Sequence, residues 1–125
     1  MCRQVLKLLV AVAALIAPAA PGTAGEADVL AAEAQRTGAN TWRFTVTVKH
    51  ADTGWEHYAN RFDIVSPDGE VLGVRTLYHP HVDEQPFTRS LSGVAVPAGA
   101  TLVRIRARDS KHGFSAAEFV VDLPR

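Results

Sequence analysis

Residues 41–49 alternate without a break. Trp42, Phe44, Val46 and Val48 are large and apolar, and Arg43, Thr45, Thr47 and Lys49 between them are polar. Successive side chains of an extended chain leave opposite faces, so this period of two makes the stretch a strand with one face in a core and one in water. Such a strand cannot bury its apolar face alone and requires a second layer. The rest of the chain supplies candidates at hairpin spacing: 29–35, 58–65, 71–77, 87–96, 102–108 and 118–123. Tyr58, Phe62 and Ile64 oppose Arg61 and Asp63; Val103, Ile105 and Ala107 oppose Arg104, Arg106 and Arg108; Phe119, Val121 and Leu123 share one face. Between 58–65 and 71–77, Ser66-Pro67-Asp68-Gly69 is a hairpin signal, with Pro presetting φ and Asp-Gly tolerating positive φ.

Seven short strands with little helix predict an all-β domain, a seven-stranded immunoglobulin-like or fibronectin-III-like sandwich. The buried disulfide of antibody domains is absent, which the wider architecture tolerates. In front of this domain Arg3 and Lys7 precede an apolar run, 8–16, and a small-residue zone ending Gly22-Thr23-Ala24. This is the layout of a secretory signal peptide. Residues 1–24 are therefore expected to be cleaved, after Ala24 or alternatively after Ala19, leaving 25–125 as one periplasmic or secreted domain. The apolar run is too short to span a bilayer, so no membrane insertion is expected after cleavage. The single cysteine, Cys2, precedes the apolar run and leaves with it, so neither a lipid anchor nor a thiolate site is expected. Without Arg3 and Lys7 the chain has 11 basic against 13 acidic residues. Nucleic acid is then a poor partner, because phosphate binding needs a basic excess on one face.

The five histidines carry the functional reading. Successive antiparallel strands reverse direction, so alternate connections share one end of the domain. The connection after 41–49 holds His50 and His57, the one after 71–77 holds His79 and His81, and the one after 102–108 holds His112. All five are thus expected at one pole, while the connections 37–40, 67–70 and 97–100 at the other pole hold none. Imidazole is the commonest side-chain metal ligand. With nitrogen and oxygen donors and no sulfur, the expected ion is Cu(II) or Zn(II). Pro80 keeps its neighbours extended, so His79 and His81 leave the same side of the backbone. These two and His112 rank first as ligands, with His57 or His50 completing the site. Asp52, Glu56, Asp83, Glu84 and Asp109 lie in the same connections, placed to ligate or to orient a ring.

A second reading keeps the pole and drops the metal. Loops at one end of a sandwich also recognise proteins, and Trp55, Tyr78 and Phe87 would then anchor a protein partner. Geometry separates the two readings, because ligation requires ring nitrogens able to meet within about 3–4 Å. Arg89 reads as an outward-facing strand residue, and Arg104, Arg106 and Arg108 as a solvated row paired with acids such as Glu118 and Asp122. Ser90 and Ser110 sit in no nucleophile elbow, and an enzyme is not expected.

Three runs have a further resemblance: Asp52-Thr53-Gly54-Trp55-Glu56-His57-Tyr58-Ala59, His79-Pro80-His81 through Glu84-Gln85-Pro86-Phe87-Thr88-Arg89-Ser90-Leu91, and Asp109-Ser110-Lys111-His112-Gly113. They resemble those of a group of small exported bacterial proteins of unassigned function, over most of the chain after the leader. The resemblance implies an exported sandwich domain and brings no activity with it.

Overall fold

Alternation along the chain is realised as strands throughout the computed structural model, which describes residues 25–124. The predicted leader, 1–24, lies outside those residues. Among the described residues there is no helix and there are eight strands: β1 (Asp28–Arg36), β2 (Thr41–Lys49), β3 (Ala59–Val65), β4 (Val71–Thr76), β5 (Phe87–Ala95), β6 (Leu102–Asp109), β7 (Gly113–Phe114) and β8 (Phe119–Asp122). They form two antiparallel sheets, β1-β2-β5 and β4-β3-β6-β7, with β8 also pairing with β6. Seven strands were expected and eight are found, because the two-residue β7 pairs with the end of β6 before β8 begins. No helix among these residues is long and apolar enough to cross a membrane.

The apolar faces meet in one core. Trp42, Phe44, Val46 and Val48 of β2 pack with Phe62 and Ile64 of β3 and with Val103, Ile105 and Ala107 of β6. Truncating a residue such as Phe44, fully buried, removes its transfer energy and leaves a cavity, about 3–5 kcal/mol together. At the turn between β3 and β4, Gly69 N–H donates to the Ser66 carbonyl at 2.9 Å, and Gly69 takes φ +88°, a region open to glycine. Outside the first sheet, a hydroxyl ladder, Thr45 to Ser90 at 3.0 Å and Thr47 to Thr88 at 2.9 Å, ties β2 to β5.

The outer face of the second sheet differs from the solvated arginine row the sequence suggests. Arg104 does face Glu118, at 4.0 Å. Arg106, however, turns to Asp63, and the guanidinium groups of Arg61, Arg106 and Arg108 lie over the Phe114 ring at 5.2, 5.9 and 4.1 Å for Arg61, Arg108 and Arg106 respectively. Such cation–π contacts hold β7 against the sheet, close to the connection that carries His112.

Candidate metal centre

His50 follows β2 directly. Its backbone N–H donates to Gln85 Oε1 at 2.9 Å, and Gln85 Nε2 donates to the His81 carbonyl at 3.0 Å. One side-chain amide therefore joins the β2–β3 connection to the β4–β5 connection. The His50 ring is buried, with Nδ1 2.5 Å from Asp52 Oδ1. A carboxylate only accepts, so Nδ1 carries the proton and, in a neutral ring, Nε2 presents its lone pair. Asp52 is held in turn by the backbone N–H of Ala59 at 3.0 Å and of His81 at 2.7 Å.

His57 comes to the same place from the far side of a short turn. Thr53 N–H donates to the His57 carbonyl at 3.0 Å, and His57 N–H to the Gly54 carbonyl at 3.2 Å. Its Nε2 lies 3.2 Å from His50 Nε2 and 3.2 Å from the Gly25 carbonyl oxygen. It also lies 3.1 Å from Asp109 Oδ1. The Gly25 oxygen is 2.8 Å from His50 Nε2. Three groups, His50, His57 and Asp109, each offer a ligand atom within 4.8 Å of the others.

Asp109 closes β6 and is 0% exposed. Its Oδ1 accepts from the backbone N–H of Lys111 at 2.9 Å and of His112 at 2.7 Å, as an Asp at the head of a turn does. His112 Nδ1 stands 3.1 Å from the same oxygen. Burial alone would push this carboxyl up, but the N–H groups of His112 and Lys111 and the His112 ring outweigh it and hold its pKa below the ordinary carboxylate value. Oδ2 is buried with no hydrogen-bond partner.

The proton count at this corner falls short of the acceptors. With the His50 proton on Nδ1, the two Nε2 atoms and the Gly25 oxygen face one another, and neutral rings leave one proton at most between the three. The 2.8 Å approach of His50 Nε2 to the Gly25 oxygen then sets lone pair against lone pair. A cation, either a second proton or a metal, relieves this.

The predicted ligands divide. His50, His57 and His112 come together, with rings edge to face at 4.6 Å for His50–His57 and 4.9 Å for His57–His112. His112 reaches the group through Asp109. His79 and His81, ranked first, are not brought into it. The His81 ring stacks on Phe87 at 3.9 Å, and its Nε2 accepts from Arg89 at 3.0 Å, so its lone pair is already engaged. Burial, then the Arg89 charge, hold the His81 pKa below the ordinary histidine value, against opposing pulls from Asp52 and Glu84. His79 is exposed and faces Trp55 at 6.0 Å between ring centres.

Among the acids, Asp52 orients a ring and Asp109 offers a ligand oxygen. Glu56 is exposed and accepts from Thr53, Glu84 pairs with Arg89 at 2.9 Å, and Asp83 is exposed. Arg89, read as an outward-facing strand residue able to reach the polar end, does reach it, at His81 and Glu84. Phe87 is corrected as a surface anchor: it is 2% exposed and lies under the His81 ring. Trp55 and Tyr78, at 65% and 69% exposed, remain open. Two contributors were missed in the sequence. Gln85 stood in a run noted only for its resemblance, and Gly25 adjoins the expected cleavage point, which was the available signal.

No family model and no solved structure matches the chain. A protein of Halomicrobium mukohataei described as "Putative lipoprotein" is 38% identical over 97 residues, 78% of this chain and 47% of that protein. The chain therefore spans about half the length of this relative.

Proposed function

We propose that the protein binds a divalent metal ion, Cu(II) or Zn(II), through His50, His57 and Asp109, with the Gly25 carbonyl and His112 at hand. The observation that carries this is the meeting of two imidazole Nε2 atoms at 3.2 Å around the Gly25 carbonyl oxygen and beside the buried Asp109 carboxylate. A four-coordinate zinc with bonds of about 2.0–2.1 Å sets its ligand atoms roughly 3.3 Å apart, close to the 3.2 Å and 3.1 Å separations around His57 Nε2. Hard and borderline donors without sulfur favour Cu(II) or Zn(II) over Cu(I). The Asp52 contact to His50 is the carboxylate–histidine arrangement that orients metal-bound rings.

The leader-like residues and the description of the relative as a lipoprotein support an exported protein, periplasmic or secreted. We read its domain as an immunoglobulin-like sandwich and its role as sequestration, delivery or sensing of the ion, not catalysis. Isothermal titration of the mature chain without an affinity tag tests the site. Stoichiometric binding of Cu(II) or Zn(II) is expected at neutral pH, weakening in acid as protons compete with the ion for the imidazole nitrogens. His57→Ala is expected to weaken binding about 100-fold, one ligand's share of a site worth about 10–16 kcal/mol. His79→Ala is expected to leave it unchanged. A chain that binds neither ion would favour the second reading, protein recognition through the exposed Trp55, Tyr78 and Val82.

A further inference from the structure

Gly25 is the first residue expected to survive cleavage after Ala24, and it lies inside the histidine corner. Its carbonyl oxygen is 2.8 Å from His50 Nε2 and 3.2 Å from His57 Nε2. A Cβ on it would stand 2.9 Å from His112 Cε1 and 3.5 Å from His57 Cε1, so the imidazoles close around a residue with no side chain. The chain behind Gly25 is pinned. Glu26 Oε2 accepts from Ser115 Oγ at 3.2 Å and from the Ala116 N–H at 3.4 Å, Ala27 is buried in the core, and β1 begins at Asp28. Gly25 is therefore anchored at the site by the residues that follow it.

We propose that Gly25, freed at its amino end by removal of the leader, gives its primary amine as well as its carbonyl oxygen to the ion held by His50, His57 and Asp109, so that export processing completes the site. This rests on the metal reading above. Hydrolysis of the Ala24–Gly25 peptide bond by a signal peptidase consumes one water and leaves a carboxylate on Ala24 and an amine on Gly25. The change is one of chemistry as well as position. An amide nitrogen has its lone pair delocalised into the carbonyl and does not ligate in that form, whereas a primary amine has a lone pair to give. Standard bond lengths keep the amine within about 2.7–3.6 Å of the Gly25 carbonyl oxygen, and the two atoms can close a five-membered ring on one ion. In the precursor that nitrogen is an amide and the site lacks a donor, so strong binding waits for processing.

The test compares two forms of the chain with Cu(II) as probe: the exported, processed protein, and a cytoplasmic form begun at Gly22 behind an initiator Met, whose amine lies beyond reach. Intact mass must place the processed N-terminus at Gly25, and a different N-terminus overturns the proposal. The processed form is expected to bind about 100-fold more tightly, the gain of a tethered extra donor. Labelling with ¹⁵N-glycine is expected to alter the nitrogen splitting of its Cu(II) resonance and to leave that of the extended form unchanged. Equal affinities in the two forms, both weakened by His57→Ala, or an unaltered splitting, would overturn the amine ligand and leave the histidine site standing. Binding by neither form would overturn the metal reading itself.

Discussion

Two aspartates, Asp63 and Asp109, are both 0% exposed, yet they are neutralised in opposite ways. Asp63 receives the Arg61 guanidinium at 2.6 and 2.9 Å and the Arg106 guanidinium at 3.1 and 3.0 Å. Both partners are permanently charged forks, and hydrogen bonding to Asp63 holds Arg61 above its ordinary pKa. Both oxygens are served, Oδ1 by one N–H and Oδ2 by three, and the cluster lies beside Phe114. Asp109 has backbone N–H groups and two imidazoles instead, with Oδ2 left unpartnered. The first carboxylate is closed, because its counter-charges arrive with the chain. The second leaves one oxygen without a partner, and the proposed ion would supply the charge that no guanidinium brings. Burial alone therefore does not mark a ligand; the kind of partner does.

The same substitution at each aspartate should pull these roles apart. Asp63→Asn removes the charge that two guanidinium groups share and presents them with an amide donor. A loss of about 3 kcal/mol of stability is expected in denaturant melts, the low side for a broken buried pair since both arginines keep some water, with Cu(II) affinity unchanged. Asp109→Asn keeps an oxygen for the Lys111 and His112 N–H groups but loses the charge an ion needs. Metal affinity should fall about 100-fold, while stability without metal moves within about 1 kcal/mol. If the two variants behaved alike, the contrast would be false.

A smaller effect concerns His81, whose folded pKa lies below its ordinary 6.5. As pH falls below that value the unfolded chain takes up the proton first, so stability is full above 6.5 and is lost as pH descends through the lowered folded value. Melts in the presence of a chelator should show this decline, and His81→Gln should flatten part of it. The smallest effect belongs to Arg104 and Glu118, 4.0 Å apart and partly exposed. Glu118→Ala is expected to change stability by no more than about 0.5 kcal/mol.

The strands were legible because side-chain alternation reports burial directly: β2 runs 41–49 as read, and the other six expected strands begin and end within a few residues of their expected bounds, while the two-residue β7 is too short to alternate. The gathering of His50, His57 and His112 was legible too, since it follows from strand direction alone. What alternation cannot report is which ring nitrogen faces which neighbour. His79 and His81 looked like a ready pair because Pro80 holds them together in sequence, but Phe87 and Arg89, brought close by the turn into β5, engage the His81 ring. Asp109 was read in the connection after 102–108 as able to ligate or to orient a ring, and it is its turn geometry that brings its oxygen to His57. The approach of the Gly25 carbonyl to two imidazoles was not legible, because a carbonyl oxygen has no signature in a sequence.

The amides that bind Asp52 have a consequence in time. His81 lies in a connection with no strand partner, yet its N–H donates to a carboxylate that is itself buried, as does that of Ala59 at the start of β3. Exchange of either amide requires its hydrogen bond to Asp52 to break, and that carboxylate is also held by the His50 ring. The His81 amide should therefore exchange with solvent as slowly as an amide in the middle of a strand, and the histidine pole should loosen on the timescale of the core beneath it.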